Sequence, residues 1–188
     1  MKTKSIEYYL SLGSNLGDRA ANLEKAFHFL RSQGEIVHSS CLYETTPVGM
    51  DSGAQEFYNL VLRLKTPVSI SPLDLLREIK TFEKSMGRDS EQSHYLPRVI
   101  DIDILLAGDR VIDSPELAIP HKEMTRRAFV LVPLAEIAPD LVHPVLKKTV
   151  KELLEQLPAP DNGYKVTRLP DPKLLPWLTT YLLTILPL

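Results

Sequence analysis

Apolar residues first gather at positions 8–12, a β-prone run that stops at Gly13-Ser14-Asn15 and predicts a strand followed by a turn. Asp18 then offers a helix N-cap, and Leu23, Ala26, Phe27 and Leu30 recur at helical spacing as far as Gly34. Residues 36–43 and 57–64 read as two further strands, separated by a loop that holds Pro47, Gly49 and Gly53. Ser71-Pro72 opens a second helix, with serine at the cap and proline at the first helical position. Leu73, Leu76, Ile79, Lys80 and Glu83 carry it to about Met86, before Gly87. A polar loop covers 88–97. A strand follows at 99–107, with a short one expected at 110–112. Residues 126–138 read as a helix interrupted by Pro133, and 150–157 as the last helix. Strand, helix, two strands, helix, strand is the order of an α+β sandwich of the ferredoxin-like kind, three layers with a mostly antiparallel sheet.

Composition narrows the class without changing that outline. The chain has 188 residues, of which 44% are hydrophobic, enough for one ordinary core. A formal net charge of -2 argues against general nucleic-acid binding, which shows a basic excess. The single cysteine, Cys41, excludes an intramolecular disulfide and fits a cytoplasmic setting. Residues 1–7 are polar and lack the apolar run of a secretory signal. The longest apolar stretch, 174–188, spans 15 residues and contains Pro176 and Pro187, whereas a membrane span needs about 20. The expected organisation is therefore a domain over 1–158, then a Pro-rich linker and apolar tail over 159–188. The tail is read as docking on its own domain, a second copy or another protein, with peripheral anchoring as the alternative.

The chemistry concentrates in Pro97-Arg98-Val99-Ile100-Asp101-Ile102-Asp103-Ile104. Side chains two apart on a strand share a face, so Asp101 and Asp103 lie together and the isoleucines face the core. Two adjacent half-buried carboxylates repel, and a hard divalent cation removes that cost. Magnesium suits one or two carboxylates plus phosphate oxygens, and two ions can sit between such a pair and a polyphosphate. A bare exposed strand with two solvated aspartates is the alternative; Arg98, three residues ahead, favours phosphate binding. His121, Lys122, Arg126 and Arg127 form a second basic cluster, read either as an opposing phosphate grip or as a solvated helix start. Gly13-Ser14-Asn15-Leu16-Gly17-Asp18 lies at a strand-to-helix turn whose amides can meet an anion, although it lacks the lysine of a P-loop.

Taken in order, these pieces resemble the 6-hydroxymethyl-7,8-dihydropterin pyrophosphokinase family of folate biosynthesis. The resemblance runs from about residue 8 to about residue 157. It rests on Leu12-Gly13-Ser14-Asn15-Leu16-Gly17-Asp18, Tyr43-Glu44-Thr45-Thr46-Pro47-Val48-Gly49, Phe57-Tyr58-Asn59, Gly87-Arg88, the Pro97–Asp103 segment, Ile119-Pro120-His121, Arg127, Pro133-Leu134 and Glu136-Ile137-Ala138-Pro139. It implies a ferredoxin-like fold and transfer of the terminal diphosphate of ATP to the hydroxymethyl group of a reduced pterin, with release of AMP. It further implies two magnesium ions on Asp101 and Asp103, with Arg88 and Arg98 as catalytic arginines. ATP contacts then fall to Glu83, Arg98, Ile104, His121 and Arg127, and pterin contacts to Thr45, Thr46, Val48, Phe57, Asn59, Tyr95 and Phe129. Departures from the family pattern lie at Ser90, Glu91, Tyr95, Leu96 and Ala118, in the expected lid and nucleotide rim. The choice of general base, Asp101 or a metal-bound hydroxide, stays open. Rival readings are another magnesium-dependent phosphoryl transferase, a degenerate nucleotide-binding member and a non-catalytic RNA-binding module. The acidic sheet face counts against RNA, whose readers display aromatic residues there.

Overall fold

The computed structural model describes residues 5–47, 54–87, 97–158 and 164–169. Val48, Arg88 and Tyr95, with the departures at 90, 91 and 96 and the apolar tail, lie outside the described residues. Strand β1 (Ser5–Ser14) leads through helix α1 (Arg19–Gln33) to β2 (Glu35–Ser39), β3 (Tyr43–Thr45) and β4 (Phe57–Pro67). Helix α2 (Pro72–Ser85) then leads to β5 (Asp101–Ala107), after which β6 (Ile112–Asp113) and β7 (Ala118–Ile119) form a small separate ladder. Helices α3 (Ala128–Ile137) and α4 (Val150–Glu155) and strand β8 (Val166–Arg168) complete the described chain. The main sheet runs β5-β1-β4-β3-β8, with β2 also on β4, and every pairing is antiparallel. This is the α+β arrangement expected from the element order.

The sheet is sandwiched because its two faces are both apolar. Tyr8, Leu10 and Leu12 of β1, Leu60, Leu62 and Leu64 of β4, and Ile102 and Ile104 of β5 pack under α1 and α2. Tyr9, Val61 and Leu105 point to the opposite face, where α3 and α4 cover them with Val130, Leu131, Leu134, Val150 and Leu153. The strands thus follow the period-two alternation that burial on two sides requires. Phe29 of α1 stacks on Phe82 of α2, with ring centroids 4.3 Å apart and planes within 5°.

Helix ends follow local chemistry. Asp18 accepts from the Ala21 N–H at 3.0 Å, and Ser71 with Asp74 forms a reciprocal capping box. Gly34 ends α1 because the chain there runs against β4: a Cβ would lie 2.4 Å from the Lys65 carbonyl oxygen. The buried stripe of α2 is Pro72, Leu75, Ile79 and Glu83. Leu73 is only half-buried, so the stripe is rotated from the one expected.

Four element expectations need correction. The single strand expected at 36–43 is two, both on β4. In the gap the Ser40 hydroxyl accepts the Val61 N–H at 2.9 Å and donates to the Cys41 carbonyl at 2.8 Å, so a side chain stands in for the ladder. The short strand is Ile112–Asp113 rather than 110–112. The helix expected from Arg126 is a 3-10 turn, Met124–Arg126, then an extended Arg127, then α3. The expected linker after residue 158 supplies β8, which extends the sheet beyond β3.

Candidate active site

The site is built on the α3 side of the sheet at the ends of β1, β4 and β5. Gly13 pairs with Asp101 on one side and with Asn59 on the other, and Ser11 pairs with Asp103. The aspartates and the asparagine therefore project from neighbouring strands onto one face. A cleft of about 1480 Å³ opens there, lined among others by Thr45, Thr46, Phe57, Asn59, Arg98, Asp101, Asp103, His121, Arg127 and Phe129. A pocket for one small ligand measures about 300–1,000 Å³, so there is room for two substrates.

Asp101 and Asp103 are each partly buried, with side chains 22% and 30% exposed. Burial first, and the Asp101 carboxylate second, hold the Asp103 carboxyl above the ordinary carboxylate range, against the pull of His121, Lys80 and Arg127. Two carboxylates sharing a half-buried face, with cations gathered around them, fit a hard divalent ion. Such an ion needs no further protein ligand when phosphate oxygens and water complete its shell. The Arg98 guanidinium bonds the Asp101 carboxylate. His121 directs Nε2 toward Asp103 at 3.9 Å, while its Nδ1 accepts the Glu123 N–H at 3.2 Å. The His121 backbone N–H donates to the Leu105 carbonyl at 2.9 Å, which ties the basic segment to the open edge of β5.

The segment carrying Arg98 is clamped by the motif at the end of β1. The Asn15 N–H donates to the Arg98 carbonyl at 3.0 Å, and the Arg98 N–H donates to Asn15 Oδ1 at 2.7 Å. The Ser14 hydroxyl donates to the Val99 carbonyl at 2.6 Å. Asn22 Nδ2 donates in turn to Ser14 Oγ at 3.2 Å and to the Leu16 carbonyl at 2.9 Å. The Gly13–Asp18 segment, read as a tight capped turn whose amides can meet an anion, uses Ser14 and Asn15 to hold the Arg98–Val99 backbone.

On the other side of Gly13, Asn59 Nδ2 donates to Thr45 Oγ1 at 2.7 Å. Both residues are buried. Thr45 thus orients the Asn59 amide, and Phe57 sits opposite Thr45 in the ladder. Gly13 leaves the room: a Cβ there would lie 2.9 Å from Asn59 Oδ1. Phe129 stands at the start of α3, and the Arg127 guanidinium lies 5.7 Å from its ring centroid.

Two expected ATP contacts sit differently from the rest. Glu83 is buried beneath the site, 1% exposed. Its carboxylate accepts the Ile102 N–H at 2.8 Å and Lys80 Nζ at 2.8 Å, binding α2 to the backbone between the two aspartates. Ile104 belongs to the core under α1 and α2 and reaches the cleft only at its wall. Among the cleft residues not assigned to the site from the sequence are Ser11, Lys80 and Tyr164. Lys80 could have been found from its place one turn before Glu83. Ser11 and Tyr164 become cleft residues only through strand pairing.

Comparison with known proteins identifies the family. The family model for 7,8-dihydro-6-hydroxymethylpterin-pyrophosphokinase matches residues 9–139. A 2-amino-4-hydroxy-6-hydroxymethyldihydropteridine pyrophosphokinase of Aquifex aeolicus is 43% identical over 157 residues, 84% of this chain and 92% of that protein. One from Methylorubrum extorquens is 42% identical over 151 residues, covering 79% of this chain and 92% of that protein. The Dictyostelium discoideum folic acid synthesis protein FOL1 is 40% identical over 164 residues, and the chain spans only 24% of its length. A crystal structure of Plasmodium falciparum HPPK-DHPS shares the fold at a TM-score of 0.67 and 22% identity, covering 82% of this chain and 46% of that one. With the family match spanning most of the sheet and the whole Asp101–Asp103 face, the chain belongs to the 7,8-dihydro-6-hydroxymethylpterin-pyrophosphokinase family.

Proposed function

We propose that this chain carries out the family reaction, transfer of the terminal diphosphate of ATP to the hydroxymethyl group of 6-hydroxymethyl-7,8-dihydropterin, through the cleft between β5 and α3. The observation that carries the reading is the shared face of Asp101, Asp103 and Asn59, which puts a charge-rich end and an amide-bearing end in one cleft. In the reaction the pterin hydroxymethyl oxygen forms a bond to the β-phosphorus, the bond from that phosphorus to the α-phosphate oxygen breaks, AMP leaves and the hydroxyl proton is released.

Asp101 and Asp103 would hold two divalent ions, magnesium by preference. Bound there, such ions neutralise polyphosphate charge and align the phosphates for in-line attack. Arg98, His121 and Arg127 would offset the charge that develops on the transferred group. Arg98 is already placed beside Asp101, and its backbone is held by Asn15, so little ordering remains when substrate arrives. Asn59, fixed by Thr45, would read the polar edge of the pterin, and Phe57 and Phe129 would flank its flat faces. Glu83 acts through the backbone it holds, keeping the two aspartates in register rather than touching nucleotide. Among the described residues no helix is long and apolar enough to cross a membrane, and the reading requires none.

The test is a nucleotide product assay with ATP, magnesium and the pterin. Pterin-dependent AMP that disappears in Asp101→Ala, with the fold retained, is the expected result. ADP as product, or AMP formation unaffected by the substitution, would overturn the reading.

A further inference from the structure

The family match ends at residue 139, yet a later segment forms part of the cleft wall. Strand β8 lies along β3 with Val166 opposite Thr45. Just past that pair, Thr46 and Lys165 exchange two hydrogen bonds: the Thr46 N–H donates to the Lys165 carbonyl at 3.2 Å, and the Lys165 N–H donates to Thr46 Oγ1 at 3.1 Å. This double tie fixes the position of the next residue, Tyr164. On an extended chain residues 164 and 166 share a face, and both line the cleft together with Thr45, Thr46 and Phe129. The Tyr164 hydroxyl is turned inward, buried and without a hydrogen-bond partner among the described residues. Burial raises its pKa to about 12, against the pull of the Phe129 backbone beside it. The phenol is therefore neutral, with its oxygen end beside the Phe129 backbone at the start of α3. Helix α3 and β8 are themselves in contact.

We infer that Tyr164 is a positioning residue of the pterin slot, closing the side between Thr46 and Phe129, so that β8 sets affinity for the pterin and not for ATP. The inference rests on the proposed reaction for its substrate. Its physical content is separate: the ring is a wall held from β3 and directed at α3. Asp103 stands on β5, at the opposite end of the sheet from β8, with β1, β4 and β3 between them.

The experiment compares the full chain with Tyr164→Phe and Tyr164→Ala, measuring KM for pterin, KM for ATP, kcat and Tm, with pterin binding followed directly by its fluorescence. Tyr164→Ala is expected to raise the pterin KM about five- to tenfold, the size of one lost aromatic contact, with the ATP KM unchanged. Tyr164→Phe keeps the ring and is expected to retain the pterin KM, with Tm equal or higher because an unpartnered buried hydroxyl is removed. A pterin KM unchanged in the alanine variant overturns the inference, as do equal rises in both KM values in step with a lower Tm. If the alanine variant does not fold, Tyr164→Leu takes its place under the same criteria. A wild-type chain that makes no pterin-dependent AMP defeats the proposed function instead, and fluorescence binding then still decides the role of Tyr164.

Discussion

Replacing Gly13 by alanine tests whether Asn59 reads the pterin. Gly13 lies in mid-sheet between Asp101 and Asn59, and its φ is not among the positive values found at Gly17, Gly87 and Gly108. Alanine can therefore adopt the same backbone, and it loses less chain entropy on folding than glycine, an advantage of about 0.5–1 kcal/mol in a strand. The added Cβ would stand 2.9 Å from Asn59 Oδ1, where ordinary contact begins near 3.4 Å. The Asn59 amide must then move by about 0.5 Å, which is the tolerance within which a binding group must be held. Retreat is restricted, because Asn59 is 3% exposed and its Nδ2 is bonded to Thr45 at 2.7 Å. Loss or distortion of a buried hydrogen bond to substrate costs about 1–3 kcal/mol, or about five- to 150-fold in kcat/KM. The assay is AMP formation against pterin concentration at saturating ATP, with Tm measured in parallel. The expected outcome is a raised pterin KM, an unchanged ATP KM and a slightly lowered Tm, since the entropy gain of alanine offsets only part of the strain at the confined Asn59 amide. A wild-type pterin KM in a folded Gly13→Ala protein would refute the claim that Asn59 reads the pterin across Gly13.

Other substitutions test the supports of the site. Asn15→Ala removes the side-chain oxygen that holds the Arg98 N–H; kcat should fall about tenfold or more, as misplaced catalytic groups do, with pterin binding by fluorescence little changed. Glu136→Ala frees the Tyr43 hydroxyl and the Cys41 N–H, bonded to Glu136 at 2.9 and 3.0 Å, and releases Arg168 of β8. The cost should be about 1–3 kcal/mol, read as a lower denaturation midpoint. His143 is buried, and its Nδ1 accepts N–H groups from Val145 at 3.3 Å and Leu146 at 3.1 Å. Burial lowers its pKa from 6.5, so the unfolded chain takes up a proton first as pH falls. Stability from this group is therefore present above the unfolded value of 6.5 and is lost on acidification toward the lower folded value. His143→Asn, whose oxygen can accept from the same turn, should flatten the denaturation-midpoint profile below that pH; identical profiles would show that the ring does not titrate this way.

What could be read from the chain itself was whatever depends on near neighbours. The caps at Asp18 and Ser71, the buried stripe of α1 and the common face of Asp101 and Asp103 follow from period and side-chain chemistry, and the structure has all of them. So do the order of elements and the antiparallel sheet, because one consistent pattern of alternation leaves few ways to bury both faces. The motifs also sufficed to place the chain in its family.

Tertiary structure decided everything that needed a partner distant in sequence. No local rule says that Ser14 and Asn15 will grip Val99 and Arg98, more than 80 residues away. The same holds for Glu83, whose burial beneath β5 depends on how α2 packs and not on its own helix. Ser40 splits an expected strand because its hydroxyl meets Val61 on β4. Residues 164–169 looked like linker because they are short and flanked by proline and polar residues. Val166–Arg168 among them become a strand because β3 offers an open edge whose backbone donors and acceptors need partners, and that demand is visible only once the sheet is assembled.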